Sequence, residues 1–356
     1  MKLEHQNILF FSRSTQHGGT ENVVLQLCEI FRPLVNKIVV ISADGFDVEK
    51  LDALDIKHYS IPDIENKTPG TIVNVIKELK RVVSEEKITI VHTHHRMAAF
   101  YVRLTGLYKY CRFINTSHNT FTNKRALTRF AYKKAHLIAC GEMVKKNLID
   151  VFGLKNVKVI HNAVKPFDGN TVFDKELKKA REDGKFLIGN IGRLSEQKGM
   201  EYFIKAIPAV LAVHPETYFY IAGSGEDEDK LRRMAEGLSI KFLGYRTDAQ
   251  NLMSQLDLIV LSSLWEGLPL TPIEAFSVGK TIVATGVDGT LEIVKDGENG
   301  LLVKAKDSEG LAERINWMIE HPEERLKMGQ SAKETFEKEF SFDMLAQSYT
   351  DYYRSL

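Results

Sequence analysis

Short runs of apolar and β-branched residues alternate with amphipathic stretches of helical period along almost all of this 356-residue chain. Such runs, bounded by turn residues, are typical of strands buried on both faces of a parallel sheet. Strands that alternate with helices predict βαβ units and an α/β fold. The predicted strands are Ile8–Phe11, Lys37–Ser42, Lys57–Ile61, Ile88–His92, Arg112–Thr116, His136–Ala139, Val157–His161, Phe186–Ile191, Tyr218–Ala222, Ile240–Leu243, Leu258–Leu261, Thr281–Ala284 and Leu301–Val303.

The alternation lapses once, between residues 165 and 184, where proline, glycine and then charged residues interrupt it. A chain of this length also exceeds what one hydrophobic core usually serves. The sequence therefore predicts two doubly wound, Rossmann-like domains facing a cleft, residues 1–167 and 168–340. Residues 341–356 are predicted to form a helix that packs back on the first domain.

The cysteines, Cys28, Cys111 and Cys140, are odd in number and widely spaced, which argues for a reducing compartment and against a disulfide framework or a zinc site. No apolar run approaches the roughly 18 to 20 residues that span a bilayer. The first strand begins close to the N-terminus, leaving no room for a signal peptide. These features predict a cytoplasmic protein.

The net charge of +1 conceals an asymmetry: residues 1–165 carry 25 Lys/Arg against 15 Asp/Glu, and the remainder carries 23 against 32. Residues 87–141 contain ten lysines and arginines and no acidic residue. Such a segment favours an anionic partner, for example the inner face of a membrane, although a solvated face balanced by distant acids is the alternative. Nucleic acid is not an expected partner, because no nucleic-acid-binding motif accompanies the charge.

Residues directly after the strands are the candidates for ligand binding, because doubly wound sheets bind ligands beyond the carboxyl ends of their strands. After the first strand, Gly18, Gly19, Thr20 and Glu21 open a helix. Glycines allow close backbone approach and a helix start favours an anion, but the same residues also suit an ordinary loop and cap.

Histidines follow two further strands, His94 after the fourth and His118 after the fifth. His92 and His94 share a strand face, yet no carboxylate lies nearby in the sequence, so no metal site is predicted. An imidazole in this place suits a hydrogen bond to a sugar hydroxyl or a phosphate.

In the second half, Arg193 and Lys198 lie five residues apart around a turn after a strand. A guanidinium and an ammonium so placed can converge on one diphosphate. Gly223 ends the next strand and offers another position of close backbone approach.

The most informative stretch runs from Glu266, interpreted as ending a strand, to Glu274 in the following helix. Backbone N–H groups at the helix start between them can hold phosphate oxygens, while the two carboxylates accept hydrogen bonds from hydroxyls on either side. A diphosphate flanked by polyols describes a nucleotide-sugar. The predicted phosphate-facing residues are Gly267, Leu268, Leu270 and Thr271.

The spacing of Glu266 and Glu274 matches the E-x7-E signature of the retaining GT-B glycosyltransferases of family 4, which the chain resembles over nearly its whole length. The resemblance implies that Glu274 binds the ribose hydroxyls and Glu266 the donor sugar, with Arg193 and Lys198 on the diphosphate. It also implies that His94 touches the donor sugar. Two positions depart from the family pattern: Asn162-Ala163 replaces Asn-Gly, and Ser262-Ser263 replaces Pro-Ser.

The predicted site falls into three groups. The residues predicted to be catalytic are Glu266, His94, Arg193 and Lys198. The residues predicted to bind the donor are Gly19, His118, Arg193, Lys198, Gly223, Gly267, Leu268, Leu270, Thr271 and Glu274. Those predicted to bind the acceptor, by resemblance to the family's N-terminal glycine loop, are Gly18, Thr20 and Glu21.

The resemblance implies front-face substitution with retention, from a UDP-sugar as the commonest donor, without metal or cofactor. The implied acceptor is a hydroxyl of a lipid-linked or surface-polysaccharide glycan. Two alternatives remain open: a sugar-nucleotide epimerase or phosphorylase of similar fold, and a non-catalytic sugar-nucleotide-binding protein. A phosphorylase would carry a lysine-bound pyridoxal cofactor, so its absorbance spectrum would distinguish it.

Overall fold

The structure, a computed structural model, describes residues 1–13, 19–43 and 48–356. The chain forms two compact units: a first unit of residues 1–162 with 343–356, and a second unit of residues 163–342. The chain therefore enters the second unit after Asn162 and returns to the first at Asp343. The predicted boundaries were after residues 167 and 340.

The described part of the first unit contains a seven-stranded parallel sheet in the order β3-β2-β1-β4-β5-β6-β7. All five residues of the interior strand Asn7–Phe11 are buried, as expected for a strand covered by helices on both faces. Its strands are β1 (Asn7–Phe11), β2 (Lys37–Ser42), β3 (Lys57–Ser60), β4 (Ile90–Thr93), β5 (Arg112–Ser117), β6 (His136–Ala139) and β7 (Val157–Val159).

The helices of the first unit cover this sheet with their apolar faces. In the helix that follows β3, the Thr68 side chain caps the N-terminus, Pro69 occupies the first turn, and Val75, Leu79 and Val82 are buried. The helices are α1 (Gly19–Phe31), α2 (Val48–Ala53), α3 (Pro69–Glu85), α4 (Arg96–Thr105), α5 (Arg125–Tyr132), α6 (Glu142–Asp150) and, at the end of the chain, α15 (Phe342–Ser355).

The second unit repeats this winding with a six-stranded parallel sheet in the order β10-β9-β8-β11-β12-β13. Its strands are β8 (Phe186–Ile191), β9 (Thr217–Ala222), β10 (Ile240–Phe242), β11 (Leu258–Leu261), β12 (Ile282–Thr285) and β13 (Gly300–Val303). Its helices are α7 (Lys175–Glu182), α8 (Met200–Val213), α9 (Glu228–Met234), α10 (Ala249–Ser254), α11 (Leu270–Ser277), α12 (Thr290–Ile293), α13 (Ser308–Glu320) and α14 (Pro322–Thr335), followed by a π-helical turn (Phe336–Phe340).

All thirteen predicted strands are present, with ends that differ by at most two residues, and the predicted α/β class with two doubly wound sheets is confirmed. In each sheet the winding reverses beside the first strand, between β1 and β4 and between β8 and β11. Ligands of such sheets bind at this reversal, outside the carboxyl ends of the two strands. His94 follows β4, and the segments after β8 and β11 carry Lys198 and Glu266.

Among the described residues, no helix is both long enough and apolar enough to cross a membrane.

Candidate active site

Lys198 and Glu266 form the centre of the site in the second unit. Lys198 ends a single 3-10 turn after β8, and its Nζ lies 2.6 Å from Oε1 of Glu266. The exposed fractions of the two side chains are 17% and 6%, so this ion pair is shielded from solvent. Removing either member would leave a largely buried charge without its partner.

Two further side chains fix the Glu266 carboxylate. Ser263 Oγ donates to Oε1 over 2.6 Å, and Gln197 Nε2 lies 3.4 Å from Oε2. Ser263 keeps the serine of the family's Pro-Ser pair, whose proline is replaced by Ser262, and here it orients the carboxylate. With three donors around it, Glu266 is held in one orientation.

The predicted position of Glu266 at a strand end was wrong. β11 ends at Leu261, and Glu266 lies five residues later in the loop before α11. This loop is anchored instead by long-range contacts: Leu264 N donates to Gln197 O, and Thr285 Oγ1 donates to Ser263 O.

Asp288, which was not predicted, fixes the Glu266 backbone. Its Oδ2 accepts a hydrogen bond from Glu266 N at 3.0 Å, and its own φ of 37° lies in the left-handed region. A Cβ at the next residue, Gly289, would lie 1.8 Å from the carbonyl oxygen of Gly267, so only glycine lets the two loops approach. An Asp-Gly pair after a strand is a turn signal that could have pointed to this residue.

Glu274 lies on α11, and the start of this helix carries no acidic side chain. The helix also has no side-chain cap. Its first N–H groups are therefore not engaged by a capping side chain, and the helix dipole favours negative charge there. Thr271, in the first turn, is buried and its hydroxyl donates to Ile191 O at 3.3 Å. Leu268 is also buried, whereas Leu270 is partly exposed.

The Glu274 carboxyl is the most strongly perturbed acid of this site. Burial raises its pKa to about 7, against the opposing influence of the Lys198 charge. Lys198 therefore acts electrostatically on Glu274 while it contacts Glu266. A buried carboxyl with a raised pKa is typical of functional positions.

Arg193 and Lys198 pair with different acids in this structure. The Arg193 guanidinium is largely exposed and pairs with Glu226 at 3.1 Å. Its convergence with Lys198 on a diphosphate remains a prediction. Gly223 is packed against the same strand end, because a Cβ there would lie 1.8 Å from Gly192 O. This contact gives Gly223 a packing role whether or not a ligand approaches it.

In the first unit the structure brings His94 and His118 together. Nδ1 of His94 lies 3.0 Å from Nε2 of His118, and the rings are stacked. Burial lowers the pKa of His94 well below its usual value and that of His118 to about 4. Both imidazoles are therefore neutral near pH 7 and act as hydrogen-bonding groups rather than as cations.

The remaining predicted residues lie at the start of α1. Gly19 is its first residue, and Thr20 and Glu21 occupy the same turn with partly exposed side chains. Gly18 lies outside the described residues. Nothing in the structure tests their roles toward an acceptor. Within the described ranges, no group of three or more His, Cys, Asp or Glu side chains could hold a metal ion.

Two family models match this chain. Residues 17–166 match the model described as Glycosyltransferase Family 4, and residues 172–335 match the model described as Glycosyl transferases group 1. The chain belongs to the group 1 glycosyltransferases of family 4.

Two curated relatives agree with this membership. The chain is 28% identical to an uncharacterised glycosyltransferase of Methanocaldococcus jannaschii over 63% of this chain and 60% of that protein. It is 29% identical to the lipopolysaccharide core biosynthesis glycosyltransferase LpsE of Rhizobium meliloti over 46% of this chain and 48% of that protein. The matched region thus spans about half to three fifths of these curated relatives.

The structure of Anabaena Alr3699/HepE in complex with UDP-glucose matches with a TM-score of 0.83 and 23% identity, over 99% of this chain and 100% of that one. At this identity the likeness shows the fold, which is the GT-B fold.

Proposed function

We propose that this protein is a retaining glycosyltransferase that transfers a sugar from a UDP-sugar to an acceptor hydroxyl. One observation carries the proposal: Lys198 contacts Glu266 and acts electrostatically on Glu274, and the N-terminus of α11 between the two glutamates lacks a capping side chain. Glu274 would bind the ribose hydroxyls and Glu266 the transferred sugar. The diphosphate would lie against Lys198 and the first N–H groups of α11.

The ion pair with Glu266 is compatible with phosphate binding by Lys198. An ammonium has three N–H donors, and Glu266 Oε1 accounts for one of them. The other two are left for phosphate oxygens. Arg193 would leave Glu226 for the diphosphate at small cost, because exposed ion pairs contribute roughly 0 to 1 kcal/mol.

In the proposed step, the bond between the anomeric carbon and the phosphate oxygen breaks while the acceptor oxygen bonds to that carbon on the same face. The acceptor proton passes to the departing phosphate oxygen. Lys198, Arg193 and the α11 N–H groups stabilise the charge that develops on the leaving group. Glu266 is assigned to orienting the sugar rather than to attacking it. Its carboxylate accepts hydrogen bonds from Lys198, Ser263 and Gln197, which hold it in place.

The donor and acceptor classes are supported by what is known of similar proteins. The Anabaena structure contains UDP-glucose, and the Rhizobium relative is named for lipopolysaccharide core biosynthesis. We therefore propose a UDP-sugar as donor and a lipid-linked or surface-polysaccharide glycan as acceptor.

The donor proposal is tested by thermal unfolding with UDP-, GDP-, ADP- and dTDP-sugars in excess EDTA. A UDP-sugar at about 100 times its Kd is expected to stabilise the folded protein by about 2.7 kcal/mol, which raises the unfolding temperature by several degrees. Retention is checked by NMR of the anomeric product. Stabilisation by none of the four, or a strict metal requirement for turnover, would contradict the proposal.

A surface of α4, α5 and the turn between α4 and β5 supports peripheral membrane binding, which we also propose. The Arg103 guanidinium lies over the rings of Tyr108 and Phe130, at 4.2 and 5.0 Å from their centroids. Tyr110 and Leu104 are 84% and 47% exposed beside them. Cations mixed with exposed aromatic residues suit anionic headgroups.

Sedimentation with phosphatidylglycerol vesicles tests this surface. Its exposed cations include Lys109, in the turn between α4 and β5, and Lys134, just after α5. Binding is expected at low salt and should weaken at high salt. It should fall at least about fivefold in the variant Lys109→Glu/Lys134→Glu, because each basic residue near a membrane contributes about 1 kcal/mol. The matched control, Lys178→Glu/Lys179→Glu, changes two exposed lysines on α7 of the second unit. Equal loss in both variants, or equal binding to neutral phosphatidylcholine vesicles, would count against the surface.

A further inference from the structure

His92 is a buried histidine to which the proposed reaction assigns no role. Its Nδ1 lies 2.7 Å from the hydroxyl of Tyr353, and its Nε2 lies 2.8 Å from Oγ1 of Thr116. All three side chains are buried. Because both ring nitrogens are hydrogen-bonded, the ring orientation of His92 is fixed by partners on two sides.

Helix α15, at the far end of the chain, supplies the Tyr353 hydroxyl and also a second hydroxyl, that of Tyr349, next to Thr116. Tyr353 is 261 residues from His92 in sequence, and Tyr349, one helical turn earlier, lies 3.1 Å from Thr116 Oγ1. The Tyr353 ring packs against Phe31, with centroids 4.3 Å apart. Burial raises the pKa of Tyr353 well above its usual value, so its hydroxyl keeps its proton and can donate to His92.

The His92 ring packs against the ring of His94. Their ring centroids are 4.2 Å apart, and Phe10 contacts both rings, at 5.6 Å from His92 and 5.9 Å from His94. On its other side, His94 is hydrogen-bonded to His118 through Nδ1. His94 Nε2 is buried and has no hydrogen-bond partner among the described residues.

We propose that Tyr353 and His92 are positioning residues, which hold the His94 imidazole so that Nε2 is aimed at a hydroxyl of the transferred sugar. This inference rests on the proposed function, because it needs the contact between His94 and the sugar. The last helix of the chain then takes part in the reaction through the Tyr353 hydroxyl, not only through its packing.

The test is Tyr353→Phe, which removes one oxygen and keeps the ring against Phe31. We expect kcat to fall about tenfold, because small misplacements of an orienting group cost up to about 10²-fold. The KM for the UDP-sugar should stay within about twofold, since the nucleotide contacts proposed for Glu274 and Lys198 are untouched. The control is Tyr352→Phe on the same helix, whose hydroxyl lies outside this network, and its kinetics should equal those of the wild type.

A double-mutant cycle with His94→Asn separates positioning from general destabilisation. If Tyr353 acts through His94, Tyr353→Phe should cause no further fall in kcat once His94 is asparagine. An equal fall in both backgrounds, or no fall in the wild-type background, would overturn the inference. Unchanged turnover of His94→Asn alone would instead refute the role of His94 in the proposed function. Should Tyr353→Phe not fold, Tyr349→Phe is put through the same cycle, with a smaller fall expected and the same outcomes decisive.

Discussion

Glu266→Gln is expected to lower kcat by about 100-fold while the affinity for UDP stays within a few-fold. The amide keeps the shape of the side chain and can still accept from Ser263, but the Lys198 ammonium loses its anionic partner. Loss of one oriented electrostatic contact at a reacting centre typically costs about 10² to 10³ in kcat. UDP affinity should persist, because the ribose contact is assigned to Glu274.

The measurements are steady-state turnover with a UDP-sugar and calorimetric titration of UDP. Glu228→Gln serves as the control, because Glu228 is a partly exposed residue on α9 whose ion-pair partner among the described residues is Arg232, one turn away. A large loss of UDP affinity with kcat unchanged would contradict the assignment of Glu266 to the sugar.

A companion variant, Glu266→Ala, distinguishes orientation from nucleophilic attack by the same residue. Azide rescues enzymes in which the missing carboxylate was the nucleophile, and it yields a glycosyl azide of inverted configuration. No rescue is expected here, because front-face substitution needs no carboxylate nucleophile. Formation of such an azide would contradict front-face substitution and would support a double displacement through a covalent intermediate on Glu266.

The second large effect is expected for Glu274→Gln, which should weaken UDP binding by about tenfold or more and stabilise the ligand-free protein at alkaline pH. A carboxylate accepts hydrogen bonds from both ribose hydroxyls, whereas the amide offers a single acceptor oxygen. In the ligand-free protein, burial raises the pKa of Glu274 to about 7 from its usual 4.5, so the charged form is the costly one.

Because the pKa of Glu274 is raised in the folded protein, the free energy of unfolding falls as the pH rises. The folded state holds the Glu274 proton more tightly than the unfolded state, so stability is lost as the pH rises from about 4.5 through about 7. Glutamine cannot ionise and avoids this loss. The variant should therefore match the wild type near pH 5 and exceed it by about 2 kcal/mol near pH 8.

Urea unfolding at the two pH values measures the difference. The matched control is Glu313→Gln, an exposed glutamate on α13, for which no pH-dependent gain is expected. A stability difference for Glu274→Gln that is the same at both pH values would show that its cause is packing and not ionisation.

The fold was largely predictable because the information for it is local. Each strand is a short apolar run, and burial on both faces requires that pattern regardless of which strands become neighbours. The E-x7-E spacing likewise places Glu266 before and Glu274 within one helix, α11, so their proximity to its N-terminus follows from the chain itself. The predicted roles of the site residues toward donor and acceptor remain predictions.

Tertiary structure alone decided how the site residues are held. The loop of Glu266 was misplaced because contacts with Gln197 and Asp288, distant in sequence, shape it rather than the end of β11. His94 is neutral because it is buried, and the residues around it in the sequence do not predict that burial.

Local patterns in the sequence were enough to predict two doubly wound sheets and the placement of Glu266 and Glu274 around one helix start, because strand periodicity and a helix start are properties of neighbouring residues. The structure added the contact of Lys198 with Glu266, 68 residues apart, and that of Tyr353 with His92, 261 residues apart. The first contact forms because the parallel sheet of the second unit brings the segments after β8 and β11 to the same edge. The second forms because α15 returns to the first unit. The spacing of residues along the sequence predicts neither contact.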